Sequence, residues 1–468
     1  MANHPTFNAE QLEAAQSEVQ KLFPAALGTL GDLVRIPGIA WDAFDPQNLE
    51  RSAQLVSSLF ESTGVFETVE ILRADTPEGK PGAPAVVARR SAKNGAPTIL
   101  LYAHHDVQPP GDEDVWKTPP FQPTVIDGRI YGRGAADDKA GIVAHLTSVR
   151  ALKAVLGNDF DLGLTLFIEG EEEAGSPSFR NFLETYRDRL QADVIVVADS
   201  SNWSTTVPAI TTTLRGLVSQ VIEVKTLDHA VHSGMYGGVV PDAMTALLRV
   251  LASLHDANGD VAVAGLKTTT APNLDYDEAA LRNDSGLLPG VSLVGTGGIL
   301  ERIWAKPSIT VIGIDNPSVA MSSNTLQPSV RAKISMRIAG GEVPEDALAA
   351  LRKHIQANLP FGAELEFGAI ELGKPYQVKD DGWAKSAMEQ ALSAAYGADS
   401  VDIGIGGSIP FIADLTEVFP QAQILVTGVE DPDSRAHSPN ESVHIESLKN
   451  VMVAETLLLL AGNQRASV

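Results

Sequence analysis

Four short apolar runs in the first half of the chain, at 85–88, 98–103, 164–168 and 194–198, are bounded by Gly, Pro or charge. Segments long enough for helices separate the later ones. Apolar runs of this length without alternation read as strands buried on both faces, and strands alternating with helices imply an α/β domain with a mostly parallel sheet. Helices are expected over 9–33, 48–62, 139–156 and 176–190, and Pro24 should kink or split the first. The pattern changes near Thr211. Longer alternating strands at 217–224 and 329–338, helices at 242–254 and 344–358, and a weakly periodic stretch rich in Gly, Asp and Asn at 257–308 describe an α+β unit. After Tyr376 the first pattern resumes, with a helix at 382–396, a Gly-rich turn at 404–407, a strand at 423–427 and a helix at 447–461. The expected division is therefore 1–212 and 376–468 as one α/β domain, with 213–375 inserted.

At 468 residues the chain is too long for one ordinary core. Its net charge of −24 repels nucleic acid and anionic lipid, so neither is an expected partner. The absence of cysteine removes disulfides, thiolate nucleophiles and thiolate metal sites. Glu10, Glu13, Glu18 and Lys21 interrupt any signal-peptide core, and no apolar run is long enough to span a bilayer. A cytoplasmic location is expected.

Ionisable residues collect where the expected strands end, the place where open α/β sheets carry their sites. His104 and Asp106, in Tyr102-Ala103-His104-His105-Asp106, face one way along an extended chain, while His105 faces the other and reads as structural. That spacing suits a ligand imidazole steered by a carboxylate, or a surface turn. Asp137 and Asp138 stand before the helix at 139–156, where Asp138 could cap the helix and leave Asp137 free. Glu169-Gly170-Glu171-Glu172-Glu173 follows a buried strand, and crowded acids there need cations or water. Asp199 ends the fourth strand, and His437 lies in a late polar loop. Each segment alone is ordinary. Together they offer nitrogen and oxygen donors without sulfur, a set suited to Zn²⁺, Mn²⁺ or Co²⁺.

These five segments, in this order, resemble the co-catalytic dinuclear zinc metallopeptidases: carnosinase-type dipeptidases, glutamate carboxypeptidases and acetylornithine deacetylase. The resemblance runs over essentially the whole chain. It implies two divalent metal ions, zinc foremost, with His104, Asp137 and Asp199 on one and Asp137, Glu173 and His437 on the other. Glu172 would be the general base and Asp106 the residue orienting a ligand imidazole. A cis peptide after Asp137 is also implied. A metal lowers the pKa of its bound water towards about 7, which Glu172 could deprotonate before returning the proton to the leaving amine.

The inserted unit would then be a lid and dimerisation domain. Its His232, in His232-Ser233-Gly234, would reach the partner's site to hold the oxyanion, and Asn324 would add a polar contact. Arg337, and Gly407 with Ser408 in Gly406-Gly407-Ser408-Ile409-Pro410, would grip a substrate carboxylate. Asp106-Val107-Gln108-Pro109, the 232–238 element and the 406–410 element resemble the dipeptidase branch most. The expected activity is hydrolysis of a peptide bond in dipeptides or short peptides by a homodimer. An N-acyl amino acid deacylase or desuccinylase of the same family is the alternative. A metal-free binding relative would have lost a ligand or the base, and all six positions are present.

Overall fold

The computed structural model describes residues 7–378, 382–407 and 410–465. The chain divides into two compact units, one made of residues up to Thr211, Val378–Ile403 and the chain from Asp414, the other of Thr212–Gln377 and Gly404–Ala413. The segment 404–413 thus clusters with the inserted one, whereas the sequence pattern alone assigns it to the α/β part.

In the first unit the strands Gly163–Glu169, Thr98–His104, Val194–Val197 and Gln423–Val426 lie side by side and parallel. Ala85–Arg90 and then Thr68–Leu72 add antiparallel strands beyond Gly163–Glu169, so the sheet is mixed. Ile99, Leu100, Leu101, Tyr102 and Ala103 have no exposed surface, which explains why this strand has no polar alternation. A fully buried Leu or Ile is worth about 1.5–3 kcal/mol relative to exposure. Covering helices include Ala9–Val34, Lys139–Leu156, Trp383–Tyr396 and Ile445–Asn463, whose apolar faces join one core with these strands. Pro24 does not split the first helix. It is exposed, and the carbonyl it leaves without a donor belongs to Gln20, also exposed, so water replaces the lost bond. The expected helix at 176–190 is instead two short ones, Phe179–Thr185 and Arg187–Leu190, broken at Tyr186.

A small antiparallel sheet, Thr124–Ile126, Arg129–Tyr131 and Ser442–His444, also belongs to this unit. The second unit is a four-stranded antiparallel sheet, ordered Ser308–Asp315, Ser329–Ile338, Gly216–Lys225, Glu364–Gly373. Val330, Ala332, Ile334, Met336 and Ile338 alternate with more exposed residues and share a core with the helices Ala243–Ala252 and Pro344–Asn358. No helix among the described residues is long and apolar enough to cross a membrane.

Candidate metal centre

The four parallel strands end at the same edge of the sheet, so His104, the turn after Glu169, Asp199 and the loop after Val426 are neighbours by topology. Asp137 arrives from the turn that opens the helix Lys139–Leu156. Ligand-type atoms of His104, Asp137 and Asp199 lie within 4.8 Å of one another, and so do those of Asp137, Glu173 and His437. Asp137 is common to both sets. Its Oδ1 lies 2.9 Å from His104 Nε2, and its Oδ2 lies 3.1 Å from His437 Nε2. His437 Nε2 is also 3.1 Å from Glu173 Oε2. Glu172 stands outside both sets, with Oε2 4.0 Å from His104 Nε2. The Asp137–Asp138 peptide is cis.

Asp106 ties three of these residues together. His104 Nδ1 lies 3.1 Å from the Asp106 main-chain O and 3.4 Å from its carboxylate, which also accepts the backbone N–H groups of Glu172 and Glu173 at 3.1 and 3.0 Å. One buried acid therefore orients the imidazole and fixes the turn that carries two glutamates. That turn needs Gly170, where a Cβ would meet Pro84 O at 2.4 Å and the His105 ring at 2.8 Å. His105 points away, as its alternation requires. Its Nε2 lies 2.7 Å from Pro84 O, and burial lowers its pKa, so it is a neutral structural donor. Asp138 precedes the helix but makes no capping bond; its Oδ2 accepts His104 N at 3.3 Å instead.

The electrostatics call for positive charge. Burial and then Asp199 push the Glu172 carboxyl well above the usual range, and burial and then Asp137 raise Glu173. Asp199 is raised to about 7 by burial, then by Asp137. Hydrogen bonds to Asp137 and Glu173 raise His437 to about 11. Burial opposes charge on Asp137, yet His104 and His437 hold its carboxyl far below the ordinary value. Acids crowded this closely stay ionised together only if cations offset them. Two imidazoles and three carboxylates, with one carboxylate turning a separate oxygen to each side, fit a pair of divalent cations.

Motif reading had assigned no role to Gln108, which donates from N and Nε2 to Glu173 at 3.1 and 2.7 Å, or to Glu441. Gln108 lies in the Asp106-Val107-Gln108-Pro109 run and Glu441 shortly after His437, but neither position by itself names a partner.

The other sequence-picked residues lie in the second unit, except Ser408, which falls outside the described residues. His232 and Asn324 are brought together there. His232 pairs with Thr325, and Ser233 N donates to Asn324 O at 2.9 Å. His232 is exposed, and its Nδ1 accepts Gly234 N at 3.0 Å. Arg337, half-buried, stands opposite Leu217 and Ser308. Arg215 is lowered to about 10 by burial and then by the charge of Arg337. Gly407 follows Gly406, whose carbonyl accepts Arg215 Nε at 3.0 Å.

Comparison with known proteins follows the same lines. The chain is 34% identical over 88% of its length, and 90% of the relative's, to the cysteinylglycine-S-conjugate dipeptidase of Corynebacterium striatum. It is 29% identical to the human Beta-Ala-His dipeptidase, over 85% of this chain and 82% of that one. The solved structure of the dipeptidase Dug1p from Saccharomyces cerevisiae matches its fold with a TM-score of 0.78 at 23% identity, covering 97% of this chain and 99% of that one. The signature of one peptidase family matches residues 100–461, and the chain accordingly belongs to peptidase family M20/M25/M40.

Proposed function

We propose that the chain is a dipeptidase whose centre holds two divalent cations, zinc foremost, with manganese or cobalt able to replace it. The observation that carries this reading is Asp137, one carboxylate presenting one oxygen to His104 and the other to His437. His104, Asp137 and Asp199 would hold one ion, and Asp137, Glu173 and His437 the other. Bound there, the pair supplies Lewis-acid polarisation of the scissile carbonyl and water of lowered pKa.

The chain's own groups do the rest. Glu172 stands beside both sets without joining either, and burial raises its carboxyl above the usual range, the direction that suits a group that takes and returns a proton. It would take a proton from the attacking water and return it to the leaving amine nitrogen. Asp106 would keep His104 and Glu172 in register through its three contacts. In the second unit, Gly234 N can only donate, so the His232 proton sits on Nε2, an exposed donor suited to an oxyanion. Arg337 would pair a substrate carboxylate bidentately, with Gly407 and Ser408 adding contacts and Asn324 a polar one beside His232.

The same reading makes the second unit a lid and the surface of a homodimer. Its edge strand Ser308–Asp315 carries exposed Ile312 and Ile314, and the following turn exposes Val319 and Met321. The relatives named above act on dipeptides by name, which supports the substrate class.

Turnover of a dipeptide panel beside N-acetyl and N-succinyl amino acids, before and after EDTA, tests the proposal. Metal-dependent cleavage of dipeptides with little activity on N-acyl amino acids is expected. Preference for N-acyl substrates would move the enzyme to the deacylase branch, and turnover unaffected by EDTA would refute the metal reading.

A further inference from the structure

Two loops deliver Asp137 and His437, and a buried acid in one of them joins it to the other. The strand Ser442–His444 pairs antiparallel with Arg129–Tyr131, placing Ser442 opposite Tyr131. The chain from His437 to Glu441 therefore runs beside the chain from Gly132 to Asp137, and Gly132 N donates to Glu441 O at 3.0 Å. The Glu441 side chain, with no exposed surface, turns into the second loop. Its Oε1 accepts Ala136 N and Asp137 N at 2.9 and 3.1 Å. Its Oε2 accepts Gly134 N and Arg133 Nη1 at 3.0 and 2.7 Å. Successive backbone N–H groups converging on one anion form a nest, and here the chain supplies its own anion.

The loop that carries His437 needs such a hold. Arg435, His437 and Asn440 have φ of 57°, 61° and 67°, a left-handed conformation that side chains with a Cβ adopt only when their surroundings impose it. Arg133, itself buried, donates to Ser438 O at 3.4 Å and so touches the residue next to His437. Asp431 adds a bidentate pair with Arg129 at 3.1 and 2.9 Å at the start of the loop. Among the described residues, Glu441 is the group of the His437 loop that bonds directly to the backbone of Asp137.

We propose that Glu441 is a positioning residue that sets the 3.1 Å approach of His437 to Asp137, and thereby preorganises the cation site that these two residues share. It touches neither substrate nor ion. Its effect passes through the backbone of the Asp137 turn and through Arg133 to the His437 loop. The inference rests on the metal reading above.

The test is Zn²⁺ titration of the metal-free chain, followed by calorimetry, with far-UV circular dichroism and melting on the same samples. Wild type should bind two equivalents. Glu441→Gln, which keeps the shape but loses the charge, should fold and bind at least one equivalent ten- to a hundredfold more weakly, about the usual cost of removing a partner that orients a ligand. Glu441→Asp, too short to reach Ala136 N and Asp137 N, should do the same and carries the test if the Gln chain does not fold. Glu342→Gln, a change at a buried acid of the second unit that accepts Lys267 N, should lower the melting temperature yet leave zinc affinity unchanged. Wild-type affinity in a folded Glu441 variant, or an equal affinity loss in Glu342→Gln, would overturn the proposal. So would failure of both Glu441 variants to fold. Failure of wild type itself to bind zinc would instead overturn the metal reading.

Discussion

Glu172 and Glu173 are adjacent, equally charged and held by the same Asp106 carboxylate, yet the backbone sends them to different tasks. Glu173 meets His437 and Gln108, while Glu172 reaches past His104 without joining either donor set. Glu172→Gln should therefore retain both metal equivalents while kcat falls by about 10²–10⁴, the range for loss of a general acid–base group. Metal analysis and steady-state kinetics on one preparation check this, and loss of a metal equivalent would mean that the two roles are reversed. The pairing of His104 with Asp106 and the turn of His105 away from them were legible, because alternation along a strand is fixed by backbone geometry. Glu441 and Gln108 were not. Their partners are backbone groups or side chains brought close by strand pairing and loop geometry, which no local spacing encodes.

Helices carry the centre as much as loops do. His145, on the helix Lys139–Leu156 that starts beside Asp137, lies with Nδ1 2.9 Å from Glu455 on the helix Ile445–Asn463 and Nε2 3.0 Å from Tyr102 O, two residues before His104. Two helices and the central strand are thus joined by one wholly buried pair. Burial works against charge on His145, but Glu455 overrides it and raises the pKa. The stabilisation is therefore complete below the unfolded value of about 6.5 and fades as pH rises through the higher folded value. Glu455→Gln should cost about 3–5 kcal/mol at pH 6, since it leaves a buried partner without its counter-charge. The gap from wild type in denaturant titrations should narrow with rising pH, and a gap that widened would contradict the assignment. The central strands were readable because burial on both faces leaves them wholly apolar. Glu364–Gly373, at a sheet edge and mostly exposed, carries no such signal, and neither does Thr124–Ile126. In the irregular stretch at 257–308 the helix Glu278–Ser285 passed unnoticed, although Asp277 caps it through Ala280 N at 2.8 Å and Gly286 ends it.

For the whole molecule, the order of segments decides more than any one of them. The α/β half is built from both ends of the chain, with the antiparallel unit inserted between Asp199 and His437. If that unit forms the dimer and lends His232 to the partner's site, inactive His232→Ala and Glu172→Gln dimers should regain activity when mixed and allowed to exchange. Random reassortment into twofold dimers gives about a quarter of wild-type turnover, because one site in each mixed dimer is complete. Activity that stays at the level of the separate variants would place His232 in its own protomer's site. The central claim is that His104, Asp137, Glu173, Asp199 and His437 hold two cations between them, and anomalous diffraction at the zinc edge from crystals of the metal-loaded chain tests it most directly. The account predicts two peaks sharing Asp137, each within about 2.0–2.2 Å of ligand atoms, one beside His104 and Asp199 and the other beside Glu173 and His437. A single peak away from Asp137, or none at these five side chains, would contradict it.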